Sequence, residues 1–393
     1  MTSASATPPA KSNSKKIVLG VVVIVIVVLA ASGAYYFYSS STSTMTTSSM
    51  MTSSAATSMT SAPPMTSQQL QSLKVAILLP GEKNDLSWNQ AAYSSFVTMT
   101  GDLNATGKYN LQTSVAEGLY TPADITPAMQ SLGTNGYNIV IGDGFQYTGP
   151  AMQLASTYPN TGFLVPGGYE STTNVQNVMP DTGSAGFLLG VLAALYSHTG
   201  KVAAIGGDNV SEITWVTKGF ILGVNYANQN WKKNVQVLVT FIGNFDDPAA
   251  AKSAAAADVA QGADVLYCSG DGISVGVANE AVAANVAFLY NDFNQTSLAP
   301  NNTLGGLSYS LAPVFEKALN DWVSTHAFSN STYYATFQNG GETMDMTSLV
   351  PQSTVTIIHT LYQGLVSQKI RVYQEIGNGT LVYNPITPAY NTL

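Results

Sequence analysis

An uninterrupted apolar run, IVLGVVVIVIVVLAASGAYYF, occupies residues 17–37 and constrains the topology of everything that follows it. Crossing the hydrocarbon core of a bilayer, about 30 Å thick, takes about 20 residues of helix. Lys15 and Lys16 precede the run, and no Lys or Arg follows it before Lys74. Because basic residues favour the cytoplasmic side of a membrane, this pattern predicts that residues 17–38 anchor the chain and that the remainder lies outside the cell.

A secretory signal peptide that is removed is the alternative to an anchor. Its apolar region would be about 7–15 residues long and would end at a small-residue cleavage site. The run in this chain is longer and ends in tyrosines, which favours the anchor. Cleavage just before the run, as in archaeal pilin-like signals, would also leave the protein in the membrane. If the chain is anchored without cleavage, residues 1–16 form the cytoplasmic segment.

A Ser/Thr/Met-rich linker, residues 39–72, follows the predicted anchor. Residues 39–68 carry no charge and almost no large apolar group except Met, so they cannot bury a core and are expected to stay extended. The linker would hold the folded part, residues 73–393, away from the membrane. Candidate N-glycosylation sequons stand at Asn104, Asn209, Asn294, Asn301, Asn330 and Asn378.

Charged residues are scarce. Asp, Glu, Lys and Arg make up 9% of the chain, against about 25% in typical soluble domains. Because a surface exposed to strong acid loses its carboxylate charges, this composition indicates an acidic external medium. A glycosylated exterior surface is a compatible alternative. The net charge of −8 argues against nucleic acid as a partner, since phosphate binding needs a basic face.

Cysteine and histidine are too sparse to support disulfide, lipid or metal chemistry. Cys268 is the one cysteine in the chain, so no intramolecular disulfide can form and no cysteine after the apolar run can accept a lipid. The histidines, His198, His326 and His359, are far apart and lack paired ligand spacing. The chain also has no HExxH motif and no cysteine–histidine constellation. We therefore expect no metal, no cofactor and no enzymatic activity.

Short apolar strands alternate with helical stretches from residue 73 onward. Runs such as VAILLP, YNIVIGDG and KVAAIGG end in Pro, Gly or Asp, and helical segments such as GSAGFLLGVLAALYSH separate them. This alternation predicts an α/β domain with parallel sheets covered on both faces. The polar residues and glycines that end the strands would lie at the carboxyl edge, where open α/β sheets bind ligands.

The pattern runs through the chain twice, which predicts two lobes. We assign the first lobe to about residues 73–198 plus 308–350, and the second to about residues 199–307 plus the C-terminal segment. A helix over residues 311–326 and a strand near residues 332–339 would return the chain to the first lobe. Two α/β lobes with crossing segments between them describe a protein that closes a cleft around a ligand.

The stretch VAILLPGEKNDLSWNQAAYSSF resembles the opening strand and signature of the basic membrane protein family, the purine-nucleoside-binding substrate-binding proteins of ABC transporters. The family signature is close to D-K-S-F-N-Q, read here as Asp85 to Gln90. YNIVIGDGF, KGFILGV and FIGNFDDPAAAK match later family segments in order, and the similarity extends over residues 74–372. The resemblance implies a type I periplasmic-binding-protein fold, two Rossmann-like lobes joined by crossing hinge segments, with an ABC permease and ATPase as partners.

The resemblance also implies a set of ligand-binding residues at the positions that match the family motifs. Asp85, Trp88 and Asn89 supply the acid, the aromatic and the amide of the signature. The second lobe adds an aromatic, Phe245, and an acid, Asp292, that would accept ribose hydroxyls. The full set is Asp85, Trp88, Asn89, Phe145, Phe245, Gly270 and Asp292.

The chemistry of a nucleoside suits this set. Two aromatic side chains from opposite lobes can stack on both faces of a base, at about 1–3 kcal/mol per stack. An asparagine offers both a donor and an acceptor to the polar edge of the base. A carboxylate can accept hydrogen bonds from two vicinal hydroxyls, and such charge-assisted bonds are strong.

Two features depart from the family pattern. Trp88 stands where Phe is usual, and the family lysine of a T-S-x-x-K-like segment has no clear counterpart in LGGLSYSLAPVF. Lys317 is displaced by several residues, and we interpret it as a helix-surface residue. A pyrimidine nucleoside or another polar-aromatic solute is therefore an alternative ligand. Some relatives resemble regulators, so an extracellular sensor is the alternative to a transport protein.

Overall fold

The computed structural model describes residues 70–375 and 381–383. The predicted anchor at residues 17–38, most of the linker, and the sequon at Asn378 lie outside the described residues. Within the described part of the chain, no helix is both long enough and apolar enough to cross a bilayer. All described residues belong to one unit, Ser67–Leu393.

This unit contains two six-stranded sheets. The first sheet comprises β1 (Gln71–Leu78), β2 (Tyr109–Ala116), β3 (Ile139–Gly142), β4 (Gly162–Pro166), β5 (Val175–Pro180) and β11 (Tyr333–Ala335). The second comprises β6 (Lys201–Gly206), β7 (Gln236–Phe241), β8 (Val265–Ser269), β9 (Ala287–Tyr290), β10 (Thr303–Tyr309) and β12 (Glu342–Met346). The strand orders are β11-β5-β4-β3-β1-β2 and β12-β10-β9-β8-β6-β7, so the two sheets have the same topology. All pairings in these sheets are parallel except that β12 runs antiparallel to β10.

Helices cover both faces of each sheet, and four apolar clusters fill the layers between them. We name the first sheet with its helices the first lobe, and the second sheet with its helices the second lobe. A separate pair, β13 (Tyr373–Glu375) and β14 (Leu381–Tyr383), is antiparallel. First-lobe helices are α1 (Trp88–Ala105), α2 (Pro122–Thr134), α3 (Thr148–Ala155) and α8 (Ala312–Thr325). Second-lobe helices are α4 (Thr182–Tyr196), α5 (Ser211–Trp231), α6 (Pro248–Ala260), α7 (Ile273–Ala284) and α9 (Gln352–Val366).

One helix begins with a clear sequence signal. Asp247 caps α6: its carboxylate accepts hydrogen bonds from the backbone N–H groups of Ala249 and Ala250, and Pro248 is the first helical residue. The helix predicted over 311–326 is α8, and the strand predicted near 332–339 contains β11. Both lie in the first lobe.

The extents of the lobes differ from our sequence assignment at two places. We placed residues 308–350 with the first lobe, but β12 pairs with β10 in the second sheet. We also placed α4 with the first lobe, yet its apolar residues pack in one cluster with α5 and the second sheet. The reason is close contact between α4 and α5: a Cβ atom on Gly190 would lie 2.0 Å from the carbonyl oxygen of Phe220.

Candidate functional site

A cleft with an empty volume of about 640 Å³ lies at the carboxyl ends of the strands of both sheets. The residues that line it mostly follow strand ends, as the parallel topology requires. Those from the first lobe are Pro80, Trp88, Tyr120, Gly144, Phe145 and Gln146. Those from the second lobe are Thr182, Val210, Glu212, Ile213, Phe245, Ser269, Gly270, Asp271, Asn291, Asp292 and Tyr309.

Hydrogen bonds join the two lobes across this cleft. The hydroxyl of Ser87 donates to Oδ2 of Asp292 at 3.0 Å and also approaches the carbonyl oxygen of Gly270 at 3.2 Å. The side-chain amide of Gln295 donates to the carbonyl oxygen of Leu86 at 2.8 Å. Leu86 and Asp292 both have a positive φ, 59° and 74°, which non-glycine residues rarely adopt. The structure is therefore a closed form, and one strained residue from each lobe lies where the lobes meet.

Aromatic side chains from both lobes form the apolar walls. Trp88 begins α1 in the first lobe, and its ring meets the edge of Tyr309 from the second lobe, with centroids 6.3 Å apart and planes at 78°. Phe245 follows β7 and rests on the backbone after β6: a Cβ atom on Gly207 would lie 2.4 Å from its ring. Phe145 follows β3 after Asp143 and Gly144. The structure thus places Trp88, Phe145 and Phe245 together, as the sequence predicted, and adds Tyr309.

Asp292 lies at the end of β9 and is only 5% exposed. Its carboxylate accepts hydrogen bonds from Ser87 of the first lobe and from the side-chain amide of Asn291. Tyr309 donates to Oδ1 of Asn291 at 3.0 Å, which fixes that amide. Burial raises the pKa of the Asp292 carboxyl to about 7, against the hydrogen bond from Ser87, which lowers it. The predicted acid therefore faces the cleft on a fixed polar network.

Asp85 and Asn89 do not line the cleft, although the family motif pointed to them. The carboxylate of Asp85 accepts hydrogen bonds from the backbone N–H groups of Ser87, Asn89 and Gln90, at 2.9 to 3.2 Å, and from the side chain of Asn89 at 2.7 Å. Oδ1 of Asn89 accepts from the backbone N–H of Gly81 at 2.8 Å. These two side chains are occupied with bracing the loop that presents Trp88, and the groups expected to meet a base edge are already paired.

Asp143 is a buried acid behind the cleft lining, next to the lining residues Gly144 and Phe145, and our sequence reasoning passed over it. It follows β3 and precedes Gly144 and Phe145, it is 0% exposed, and neither carboxylate oxygen has a hydrogen-bond partner of good geometry among the described residues. Burial raises its pKa well above the usual range, and the Trp88 side chain is the one neighbour that lowers it. The signal was present in the sequence, because YNIVIGDG ends a buried strand on this acid.

The charged groups lining the cleft are all acids. Glu212, Asp271 and Asp292 line it, and no Lys, Arg or His is among its lining residues. Burial raises the pKa of Asp271 well above its usual range, and Asp85 and Asp292 raise it further. Lys317, the candidate for the missing family lysine, lies on α8 in an ion pair with Asp321, as the surface interpretation predicted. The cleft is therefore suited to donor-rich ligands and unsuited to anions.

Residues 272–276, Gly-Ile-Ser-Val-Gly, have the G-x-S-x-G spacing of a hydrolase nucleophile, which our sequence reasoning missed. Ser274 does not serve that chemistry in this geometry. Its hydroxyl is 2% exposed and donates to the carbonyl oxygen of Gly270 at 2.8 Å. No histidine lines the cleft, so the described residues there do not form a serine–histidine pair with it. Among the described residues, no group of acids, histidines and cysteine is placed to hold a metal ion.

Comparison with known proteins agrees with this geometry. A family model described as Bmp, ABC transporter substrate-binding protein PnrA-like, matches residues 72–334, more than half of the chain. The chain belongs to this family. The resemblance identified from the Asp85 to Gln90 signature is thus confirmed. Bmp-family proteins are substrate-binding proteins by that description, which agrees with a cleft between two lobes.

Individual relatives of this Bmp-family chain carry two kinds of names. The transcriptional activator protein Med of Bacillus subtilis is 26% identical over 308 residues, which are 77% of this chain and 89% of that protein. The ABC transporter nucleoside-binding protein BmpA of Lactococcus lactis is 30% identical over 218 residues, which are 54% of this chain and 59% of that protein. A solved ABC transporter solute-binding protein from Aeropyrum pernix has a TM-score of 0.65 at 18% identity, covering 81% of this chain and 96% of that one, and shares the fold.

Proposed function

We propose that this protein is the solute-binding component of an ABC importer and captures a nucleoside between its two lobes. The observation that carries the proposal is the placement of Trp88 and Phe245 on opposite lobes of one cleft. A planar base entering from solvent would meet both rings only when the lobes close. Stacking on aromatic rings is worth about 1–3 kcal/mol per base and does not depend on which base is bound.

Asp292 is proposed to hold the sugar. In the closed form each of its carboxylate oxygens already accepts one hydrogen bond, from Asn291 and from Ser87. A carboxylate has about four lone-pair positions, so acceptor capacity remains for ribose hydroxyls. Hydrogen bonds to a charged acceptor contribute about 1.5–3 kcal/mol each. Gly270 also lines the cleft and has a φ of 153°. Because it has no side chain, its backbone can approach the ligand closely.

Asp143 is proposed to meet the polar edge of the base. Its two oxygens have no hydrogen-bond partner of good geometry and lie behind the cleft lining, so in this proposal the wall beside Trp88 shifts and a ligand N–H group satisfies them. Its position beside Trp88 places it next to a base that stacks on that ring. Asp85 and Asn89 then act as positioning residues, because their hydrogen bonds hold the loop on which Trp88 stands. The domain binds its ligand without catalysis in this proposal.

A second candidate function is ligand sensing with the same cleft. The name of the Bacillus subtilis relative, a transcriptional activator, favours it, whereas the name of the Lactococcus lactis relative favours transport. In the transport proposal the partners are an ABC permease and ATPase, and residues 17–38 hold the protein in the cell membrane with the binding domain outside. Uptake of labelled nucleoside that falls when the gene is deleted supports transport; unchanged uptake with an altered transcriptional response supports sensing.

The direct test is a thermal-shift screen of the purified full-length protein against nucleosides, free bases, sugars and amino acids. A ligand present at 100 times its dissociation constant adds about 2.7 kcal/mol of stability. We expect nucleosides to raise the melting temperature and sugars and amino acids to leave it unchanged. A shift with amino acids or sugars and none with nucleosides would overturn the proposal.

A further inference from the structure

Glu212 belongs to the second lobe, and its side chain reaches the first lobe. It lies in the first turn of α5 and lines the cleft. Gly167, which follows β4 in the first lobe, faces it: a Cβ atom on Gly167 would lie 2.5 Å from Oε1 of Glu212 and 3.5 Å from Cζ2 of Trp88. The carboxylate of Glu212 therefore sits beside the edge of the Trp88 ring, at the place that a base stacked on this ring would reach.

The carboxylate of Glu212 is half-buried in the closed cleft and has its own backbone N–H as its one hydrogen-bonding neighbour. Among the described residues, no side chain donates a hydrogen bond to it, and no basic residue lines the cleft. Burial raises its pKa to about 7, and only its own backbone N–H opposes the shift. A carboxylate desolvated in this way without a donor is costly, so a ligand that supplies one gains affinity here.

Glu212 has no counterpart in the set of residues predicted from the family signature. Asp292 and Asp143 already have proposed partners in the sugar and in the base edge beside Asp143. Glu212 stands at a different boundary, between Gly167 and the six-membered ring of Trp88. A ligand group at that boundary would meet the Glu212 carboxylate, which accepts hydrogen bonds, and no described side chain there donates one.

We propose that Glu212 recognises an amino group on the base, so that the cleft prefers amino-bearing nucleosides to those with a carbonyl at the same position. This specificity rests on the proposed nucleoside function. An ionised carboxylate only accepts hydrogen bonds, so an amino group pairs with it and a carbonyl oxygen leaves both groups unpaired. Sites that read a polar group in this way discriminate far more strongly than apolar pockets do.

The test compares two matched ligand pairs, adenosine with inosine and cytidine with uridine. Each pair exchanges an amino group for a carbonyl, so the comparison holds for either purines or pyrimidines. Dissociation constants are measured by calorimetry on the full-length protein above pH 7, where Glu212 is ionised. We expect wild-type protein to favour the amino member of the bound pair by about tenfold or more, which is the ratio for one hydrogen bond to a charged group.

Two variants isolate the role of Glu212. Glu212→Gln adds a donor, so the carbonyl ligand should gain affinity and the preference should narrow or reverse. Glu212→Ala removes the acceptor without adding a donor, so the preference should fall without that gain. Glu170→Gln is the matched control, because Glu170 is an exposed carboxyl on the loop just after Gly167.

The outcomes separate this inference from the proposed function. A wild-type preference for amino ligands that Glu212→Gln removes and Glu170→Gln retains supports the assignment. Equal binding of both members by wild-type protein, or parallel losses for both in the Glu212 variants, overturns the assignment and leaves nucleoside binding intact. If no nucleoside of either pair binds wild-type protein, the proposed function and the inference fail together.

Discussion

The hydroxyl of Ser87 in the first lobe donates a hydrogen bond to Oδ2 of Asp292 in the second lobe, over 3.0 Å. Ser87 is fully buried, and it belongs to the same signature loop that presents Trp88. The residue that is proposed to hold the sugar is therefore tied directly to the loop that is proposed to stack on the base. In this proposal the Ser87–Asp292 hydrogen bond therefore couples closure of the cleft to binding of both the sugar and the base.

Ser87→Ala should shift the protein toward an open form. The substitution removes the donor to Asp292 and leaves the carboxylate with one partner fewer in a buried position, which costs about 1–3 kcal/mol. A closed-to-open shift follows because the open form allows water to replace the lost donor. Small-angle scattering without ligand should report a larger radius of gyration than for wild-type protein. Ser253→Ala, at an exposed serine of α6, is the control; an unchanged radius in Ser87→Ala would contradict the expectation.

Asp292→Asn should weaken nucleoside binding selectively. The change keeps the shape of the side chain but removes the charge, so ribose hydroxyls lose a charge-assisted acceptor. We expect the affinity for a nucleoside to fall by about 1.5–3 kcal/mol, roughly ten- to a hundredfold. The free base has no hydroxyls and should bind both forms equally in calorimetry. Equal weakening of nucleoside and free base would show that Asp292 acts on the fold.

The stability of the closed domain should decrease as the pH rises from 4 to 8. Burial raises the pKa of Asp292 and of Glu212 to about 7, above the value of about 4 in an unfolded chain. Between these values the folded state binds more protons, so the free energy of unfolding falls with rising pH. Melting temperatures of wild-type protein should decline over this range, and those of the Asp292→Asn/Glu212→Gln double variant should decline less. Identical slopes would mean that these carboxyls titrate normally. A decline agrees with the acidic medium that the composition indicates.

The membrane anchor predicted at residues 17–38 is testable on intact cells. Full-length protein should fractionate with membranes and resist carbonate extraction. Protease added outside should release the folded domain by cutting within residues 39–68, because a segment of that composition offers an unprotected backbone. Recovery of most of the protein in the medium, without residues 17–38, would instead support a cleaved signal peptide.

Strand ends were the part of the site that sequence reasoning could locate. Trp88 opens a helix, and Phe245 and Asp292 follow strands of the second sheet, so topology alone brings them to the carboxyl edges. Glu212 could not be found in this way, because it meets Gly167 only when two separately wound lobes close. Asp85 and Asn89 are identical to the signature residues, but a motif does not reveal that their polar groups pair with each other.

For the fold as well, some elements were predicted from the sequence and others were missed. Buried strands such as β3 and β6 are continuous apolar runs and were predicted, whereas β2, β5 and β10 were missed. β5 and β10 lie inside their sheets, but Gln and Asn in β5 and two glycines in β10 interrupt the apolar run. β2 is an edge strand with a mostly exposed, polar sequence, YNLQTSVA, so periodicity does not mark it. The pairing of β12 with β10 depends on contacts between distant segments, and local pattern carries no information about which sheet such a strand joins.

Trp88 provides the most discriminating test of the aromatic walls. Its ring contacts Tyr309 of the other lobe in the closed form. Phe245 of that lobe lines the same cleft, so a base stacked on Trp88 would be covered on its second face only after closure. Trp88→Ala should lower nucleoside affinity by about 1–3 kcal/mol and remove most of the ligand-induced change in tryptophan fluorescence. Trp88→Phe, which restores the usual family residue, should keep most of the binding. Trp231→Phe, at the end of α5 and outside the cleft lining, is the matched control and should leave both signals unchanged. Wild-type affinity in a folded Trp88→Ala protein would show that the ring serves lobe packing and that the ligand lies elsewhere.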